Sequence, residues 1–341
     1  MLINRCIAPL RIGLAGGGSD VAPYSDLFGG AILNATISLF ASATIEPCDD
    51  GKIYFCLADQ NKQIVLDSVD QLPIVDPFSL HAGVYNRLVK DFTGKPLSFR
   101  LTTAVDAPPG SGLGTSSTLV VAILGAFAEW LKLPMGEYDM AHLAFEIERI
   151  DLKMAGGKQD QYSATFGGVN FMEFSKDDKV IVNPLRIKDI YLNELSHNLV
   201  LYNTSTSRLS AKIIEAQQNN VRSGNQQSID AMHEMKKQAV MMKEALLMGK
   251  LDDVGEILNY GWHFKKRMAE EITNPMLENI YNTALANGAT GGKISGAGGG
   301  GFMLFYCPGT RRYDVINALQ QFGGQVLRYT FTKGGMVSWT I

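Results

Sequence analysis

Residues 108–118, Pro-Pro-Gly-Ser-Gly-Leu-Gly-Thr-Ser-Ser-Thr, constrain this chain more than any other stretch. Three glycines and an unbroken run of hydroxyls, Thr115 to Thr118, lead directly into an apolar segment from Leu119 to Leu131 with helical character. Glycines let a backbone close in on an anion and turn its amides inward. The unsatisfied N–H groups and positive dipole end of the following helix attract negative charge. The run is therefore a candidate phosphate loop. It is not a Walker loop, which ends in Gly-Lys-Ser/Thr, because it contains no lysine. A tight connection between a strand and a helix is the plain alternative, and on composition alone the two readings are evenly matched.

Bulk properties narrow the class. A chain of 341 residues, 46% hydrophobic and 19% charged, can bury a large core, and its length favours two domains. The net charge of −3 provides no basic excess for a nucleic-acid backbone or an anionic membrane. The four cysteines, Cys6, Cys48, Cys56 and Cys307, are scattered without a C-x-x-C pair, which argues against structural zinc and a disulfide framework. No stretch approaches the roughly 18 apolar residues of a membrane span, and the N-terminal residues lack a signal-peptide pattern. A cytoplasmic protein is the expectation.

β-Branched and aromatic residues predict strands over 31–47 and 52–57, joined by a hairpin at Asp49-Asp50-Gly51, and another over 97–105 running into the glycine loop. Helices are predicted over 116–132 and 138–150, strands near 169–174 and 198–203, then long helices over 209–219, 228–248, 251–270 and 276–287. Strands at 291–295 and 302–306 flank a second glycine run, followed by a helix near 311–321 and a strand near 325–331. The change of pattern places a domain boundary near residue 190, giving domains 1–190 and 191–341. The polar stretch 219–227 reads as a mobile loop.

Two further glycine clusters stand out. Gly296 to Gly301 matches G-x-G-x-x-G in form, but the next residues look like a strand where a dinucleotide fingerprint requires a helix, so a nicotinamide enzyme is disfavoured. Ala15-Gly16-Gly17-Gly18-Ser19-Asp20 lies between Arg11 and Asp20, two charges in apolar surroundings. Taken singly, Arg11 reads as a salt-bridge partner. Glu146, Glu148, Asp151 and Asp160 lie downstream of the loop, and carboxylates near bound phosphate suggest Mg²⁺, which prefers hard oxygen ligands shared with phosphates. Each acid alone is more simply a solvated helix face or cap.

In combination these segments resemble the GHMP kinases (galactokinase, homoserine kinase, mevalonate kinase and phosphomevalonate kinase). Pro109 through Ser117 is similar to the family's second motif, P-x-x-x-G-L-x-S-S-A. Ala8-Pro9-Leu10-Arg11-Ile12 through Asp20 resembles the first, A-P-G-R-V-N-L-I-G-E-H-T-D in galactokinases, and Lys293 through Gly301 resembles the third. The resemblance spans residues 8 to 301. It implies an α+β fold of two domains, an N-terminal one like domain 2 of ribosomal protein S5 and a ferredoxin-like C-terminal one, with ATP and substrate between them.

The resemblance also implies roles. Pro109, Gly110, Ser111, Gly112, Leu113, Gly114, Thr115, Ser116 and Ser117 match the loop around the ATP phosphates. Thr115 or Ser116, with Glu148, matches the Mg²⁺ ligands. Asp160 matches the catalytic aspartate, one residue further from the glutamate than in mevalonate kinases, and Arg11 matches the basic residue that offsets transferring charge. Gly17, Gly18, Ser19 and Asp20, where Asp20 matches a residue that binds sugar hydroxyls, together with Gln159, Gly298 and Gly299 are implied sugar contacts.

Gly16-Gly17-Gly18-Ser19-Asp20 replaces G-E-H-T-D, and Gly157 to Tyr162 replaces S-G-x-D. These variants look most like the subgroup that phosphorylates D-glycero-D-manno-heptose 7-phosphate on its anomeric hydroxyl, and secondarily like the kinase domain of bacterial fucokinase/guanylyltransferases. A phosphorylated sugar needs a cationic seat. Lys158 and Arg208 are the preferred candidates and Lys265-Lys266-Arg267 the reserve, with a surface salt bridge the plain reading of each. The implied partner is a small-molecule sugar or sugar phosphate, not nucleic acid or membrane, bound by a monomer or homodimer. A catalytically silent sugar-binding protein on the same fold is the rival reading.

Overall fold

A computed structural model describes residues 2–206 and 210–341. Helix Thr115–Leu131 is the organising element. Its central residues Val120 to Phe127 are all fully buried, as an all-round apolar helix requires. One face packs on strands Asn4–Ala15 and Gly30–Pro47, while helices Ser79–Leu88, Glu137–Glu146 and Gln159–Phe166 enclose the rest.

The first sheet has eight strands among the described residues. Its main path runs Val337–Thr340, Asn4–Ala15, Gly30–Pro47, Phe99–Val105, Lys52–Leu57, Lys62–Asp67. The long strand Gly30–Pro47 pairs through residues 41–47 with Phe99–Val105 and through residues 30–35 with Val169–Phe174. The predicted hairpin at 49–51 is therefore not formed. Phe99–Val105 comes between the two strands, antiparallel to one and parallel to the other. The apolar alternation of 52–57, with Ile53, Phe55 and Leu57 buried, is equally satisfied by this partner, so a local turn signal did not decide the pairing.

The second sheet consists of Leu199–Asn203, Gly291–Ile294, Phe302–Tyr306 and Gln325–Leu327. All its pairs are antiparallel, and in chain order the spatial sequence is fourth, first, third, second. That is the ferredoxin-like order the resemblance implies. Four helices, Ser210–Arg222, Gln226–Met248, Asp253–Lys265 and Pro275–Ala286, lie between its first two strands. The stretch 219–227 is mostly helical, not a loop. Helix Ser210–Arg222 buries Ile213, Gln217 and Val221, and the Asn225 side chain accepts from Ser228 N to cap the next helix.

Gln226–Met248 also reaches the first sheet, where Gln238 Oε1 accepts from Gly16 N at 3.1 Å. The two sheets are thereby joined at the first glycine cluster, and a cleft opens between them. No described helix is long and apolar enough to cross a membrane. Truncating Phe127, fully buried against Phe99 and Trp130, is expected to cost about 3–5 kcal/mol. Urea unfolding of Phe127→Ala measures this.

Candidate active site

The cleft has a volume of about 600 Å³ and is bounded by the three glycine segments, residues 148–160 and helix Ser210–Arg222. The helix that organises the fold points its N-terminus into it. Gly114 precedes that helix in the left-handed conformation and offers no side-chain cap. Thr118 N is bonded to Gly114 O at 2.9 Å, while the amides of Thr115, Ser116 and Ser117 have no acceptor among the described residues. Three free donors at the positive end of a helix dipole form an anion site.

The loop is held in shape by the other glycine run. Gly112 O accepts from Arg11 Nη1 at 2.6 Å and from Ser295 Oγ at 2.8 Å. At Gly112 φ is +80°, and an added Cβ would lie 2.5 Å from Ser295 O, so only glycine fits. Ser111 and Leu113 belong to the support and do not line the cleft. Ser111 O accepts from Phe302 N at 3.1 Å, and Leu113 O accepts from Arg11 N at 3.1 Å. Pro109, Gly110, Gly112, Gly114, Thr115, Ser116 and Ser117 do line it.

Opposite the loop lies Asp160, in the first turn of helix Gln159–Phe166. Arg11 Nε donates to Asp160 Oδ1 at 2.7 Å, and Arg11 Nη2 lies 2.6 Å from the same oxygen. The acid and base expected from opposite ends of the N-terminal half are therefore in contact. A Cβ at Gly114 would come within 3.3 Å of the Asp160 carboxyl carbon, which sets that carboxylate against the phosphate loop.

Glu148 sits in a π turn, Ile147–Asp151, that continues helix Glu137–Glu146. Such turns re-aim side chains, often at functional sites. Glu148 is fully buried. Its Oε2 accepts from Gln161 Nε2, and its Oε1, which makes no hydrogen bond, lies 3.5 Å from Arg149 Nη1. Gln161 also donates to Ser117 Oγ at 3.2 Å, as Arg149 Nη2 does at 3.4 Å. Thus Ser117 is the loop hydroxyl tied to the glutamate, and Gln161 is a site residue to which the sequence reading assigned no role. A carboxylate oxygen free of hydrogen bonds and held only by the ion pair with Arg149, beside loop hydroxyls, is a donor set suited to Mg²⁺.

Asp20 Oδ2 accepts from Gln159 N at 3.1 Å, while its Oδ1 is unpartnered. Burial raises its carboxyl pKa, the Gln159 amide opposes this, the Asp160 charge adds to it, and Arg11 opposes it. Lys265 and Lys293 reach the same floor from the C-terminal domain. Burial pushes the Lys265 ammonium down to about 8, with Asp20 acting against the shift and Arg11 with it. Lys293 is also lowered, by burial, then by Lys265 and Arg11. In the sequence Lys293 stands out only as part of a motif. What distinguishes it is structural: a lysine inside a four-residue strand whose every position is buried.

Other expectations are corrected. Lys158 is turned out of the cleft to ion-pair with Asp178 and, at 3.6 Å, Asp26, with the Phe145 ring 5.6 Å from its ammonium. Ser19 is buried beneath the first glycine cluster, donating to Gly16 O at 2.9 Å and Ala31 O at 3.0 Å. Gly299 N donates to Ile272 O at 2.9 Å and Gly298 packs on Ile272, whereas Gly296 and Ala297 line the cleft instead. Gly17, Gly18, Asp20 and Gln159 line it as expected. Arg208 lies outside the described residues.

A helix N-terminus ready for phosphate, facing an aspartate bonded to an arginine across a cleft between two α+β domains, defines a small-molecule phosphotransferase. Comparison with known proteins agrees. The profile "GHMP kinases N terminal domain" matches residues 79–168 and "GHMP kinases C terminal" matches residues 242–325. A D-glycero-alpha-D-manno-heptose 7-phosphate kinase of Campylobacter jejuni is 50% identical, with 99% of each chain covered. A solved D-glycero-D-manno-heptose 1-phosphate kinase of Bacteroides thetaiotaomicron superimposes with a TM-score of 0.84 at 45% identity, covering 99% of each chain. An L-fucokinase/L-fucose-1-P guanylyltransferase of Bacteroides fragilis is 27% identical over 87% of this chain and 34% of its own. The chain belongs to the GHMP kinase family. It is a kinase that transfers a phosphoryl group from ATP to an alcohol.

Gly112→Ala forces a Cβ into Ser295 O and a side chain into left-handed backbone. It is expected to destabilise the protein by about 1–3 kcal/mol and to raise the apparent ATP KM. Urea unfolding and ATP titration measure the two effects.

Proposed function

We propose that the enzyme phosphorylates the anomeric O1 of D-glycero-D-manno-heptose 7-phosphate to give the 1,7-bisphosphate, as an early step toward nucleotide-activated heptose for surface glycans. The Asp160–Arg11 contact against the phosphate loop carries the catalytic part. The 50% identical relative of equal length supports the substrate. We place the ATP-binding domain at 1–190 and the second at 191–341, on the change from the first sheet to the second, with strand Val337–Thr340 returning to complete the first sheet.

In this reading O1 attacks the γ-phosphorus in line, and as the O1–phosphorus bond forms the bond to the β,γ-bridging oxygen breaks and ADP leaves. Asp160 accepts or orients the O1 proton, and Arg11 offsets charge that develops on the transferring group. The amides of residues 115–117 receive the phosphate oxygens. Little covalent chemistry is asked of the protein, and positioning with electrostatics supplies the rate. Glu148 and the hydroxyls of Thr115, Ser116 and Ser117 would hold Mg²⁺, which neutralises phosphate charge when bound. Asp20, with one unpartnered oxygen, accepts from sugar hydroxyls, and Gln159 accepts from or donates to them.

Fucose and other unphosphorylated sugars are the alternative substrates, favoured by the fucokinase likeness. An ADP-release screen over sugars and sugar phosphates separates them. The proposal expects heptose 7-phosphate to give the highest kcat/KM, and a higher value for fucose overturns it. Asp160→Asn should lose about 10²–10⁴-fold in kcat while ATP affinity is kept. Turnover within a few-fold of the parent removes Asp160 from the chemistry. Glu148→Gln should raise the Mg²⁺ concentration giving half-maximal activity by about tenfold or more, read by metal titration at saturating ATP.

A further inference from the structure

We propose that Lys265 and Lys293 form the seat for the phosphate that the sugar itself carries, and that Gly17 keeps the space above them open. This inference rests on the sugar-phosphate reading of the cleft. Lys265 ends helix Asp253–Lys265 and Lys293 lies in strand Gly291–Ile294, so both cations come from the C-terminal domain. Each is only 2% exposed. Lys265 Nζ donates to Gly296 O at 2.8 Å and Lys293 Nζ to Gly13 O at 2.8 Å. An ammonium has three N–H donors. Neither lysine has another hydrogen bond or a carboxylate at ion-pair distance among the described residues, so each has two donors in reserve.

Buried charge without a counter-ion is costly. Here the imbalance is cumulative, because Arg11, the third cation of the floor, is already engaged by Asp160. Only Asp20 faces Lys265 as an opposing charge, and it is beyond ion-pair distance. Burial lowers the proton affinity of both lysines. A phosphate arriving between them replaces the lost hydration and matches two ammoniums with one dianion.

Gly17 gives the second, independent line. It occupies the position of the glutamate in the G-E-H-T-D pattern. Its φ is outside the left-handed region, so the backbone conformation does not demand glycine. A Cβ at this position would point at the seat, 3.6 Å from Lys265 Nζ and 4.0 Å from Lys293 Nζ. A glutamate there would neutralise the lysines from within the protein, whereas glycine leaves their charge to the substrate. Other cations near in sequence are spent elsewhere. Lys266 pairs with Glu278 and lies over Trp262, and Arg267 lies over Phe264.

The test compares wild type with Lys265→Met, Lys293→Met and Gly17→Glu, using heptose 7-phosphate and unphosphorylated heptose as acceptors and titrating ATP separately. The readout is the ratio of kcat/KM for the two acceptors. It is expected to fall by at least about tenfold in each variant, the effect of losing one charge-assisted hydrogen bond, with the ATP KM within about threefold of wild type. Lys265→Arg should recover part of the ratio. Gly17→Glu removes no contact and enters open space, so it remains readable if a lysine variant folds poorly. An unchanged ratio in Gly17→Glu and in the folded lysine variants overturns the proposal. A raised ATP KM with an unchanged ratio also overturns it, assigning the lysines to the nucleotide. Failure of wild type to prefer heptose 7-phosphate is a separate result, and it overturns the underlying substrate reading.

Discussion

The contact between Arg11 and Asp160 is the interaction on which the rest of the site depends. Arg11 comes from the first strand, Asp160 from a helix 149 residues later, and the same guanidinium holds Gly112 O of the phosphate loop. One buried group thus fixes the distance between the carboxylate and the donors that receive phosphate. Removing Asp160 would leave the buried Arg11 guanidinium without its carboxylate partner. The geometry of phosphoryl transfer and the packing of the N-terminal domain are for this reason one problem.

The second constraint is backbone contact between distant glycines. Gly112 meets Ser295 and Gly296, and a Cβ at Gly301 would lie 2.5 Å from Ser111 O. The glycine run 296–301 therefore acts as a bed for the phosphate loop more than as a ligand surface, with Gly296 and Ala297 its cleft-facing part. This bed brings the C-terminal domain, with Lys265 and Lys293, up to the floor of the cleft. The N-terminal domain contributes the phosphate loop and Asp160, and the C-terminal domain contributes cations.

What was legible in the sequence was what local pattern determines. The glycine loop and its helix, the acidic segment around Glu148 and Asp160, and most of the strand and helix runs showed in residue order, whereas strand Asn4–Ala15 and helices Ser79–Leu88 and Gln159–Phe166 did not. What depends on distant partners did not. The turn at Asp49-Asp50-Gly51 suggested a hairpin, yet a strand from 99–105 supplied the edge. Lys158 looked well placed beside Asp160, but at the start of a helix its side chain leaves in another direction and meets Asp178. Lys293 and Gln161 could not be singled out because burial, not residue type, marks them. Ser19 and Gly298 matched motifs whose glycine-rich shape they support from behind.

The site reads as one for transfer to the anomeric oxygen of a sugar that already bears a phosphate. Phosphorus NMR of the product formed from ATP and heptose 7-phosphate tests it most directly. The account requires one new ester signal coupled to the anomeric proton, with the original 7-phosphate signal retained. A new ester on any other carbon, or ADP and inorganic phosphate with no new ester, contradicts it.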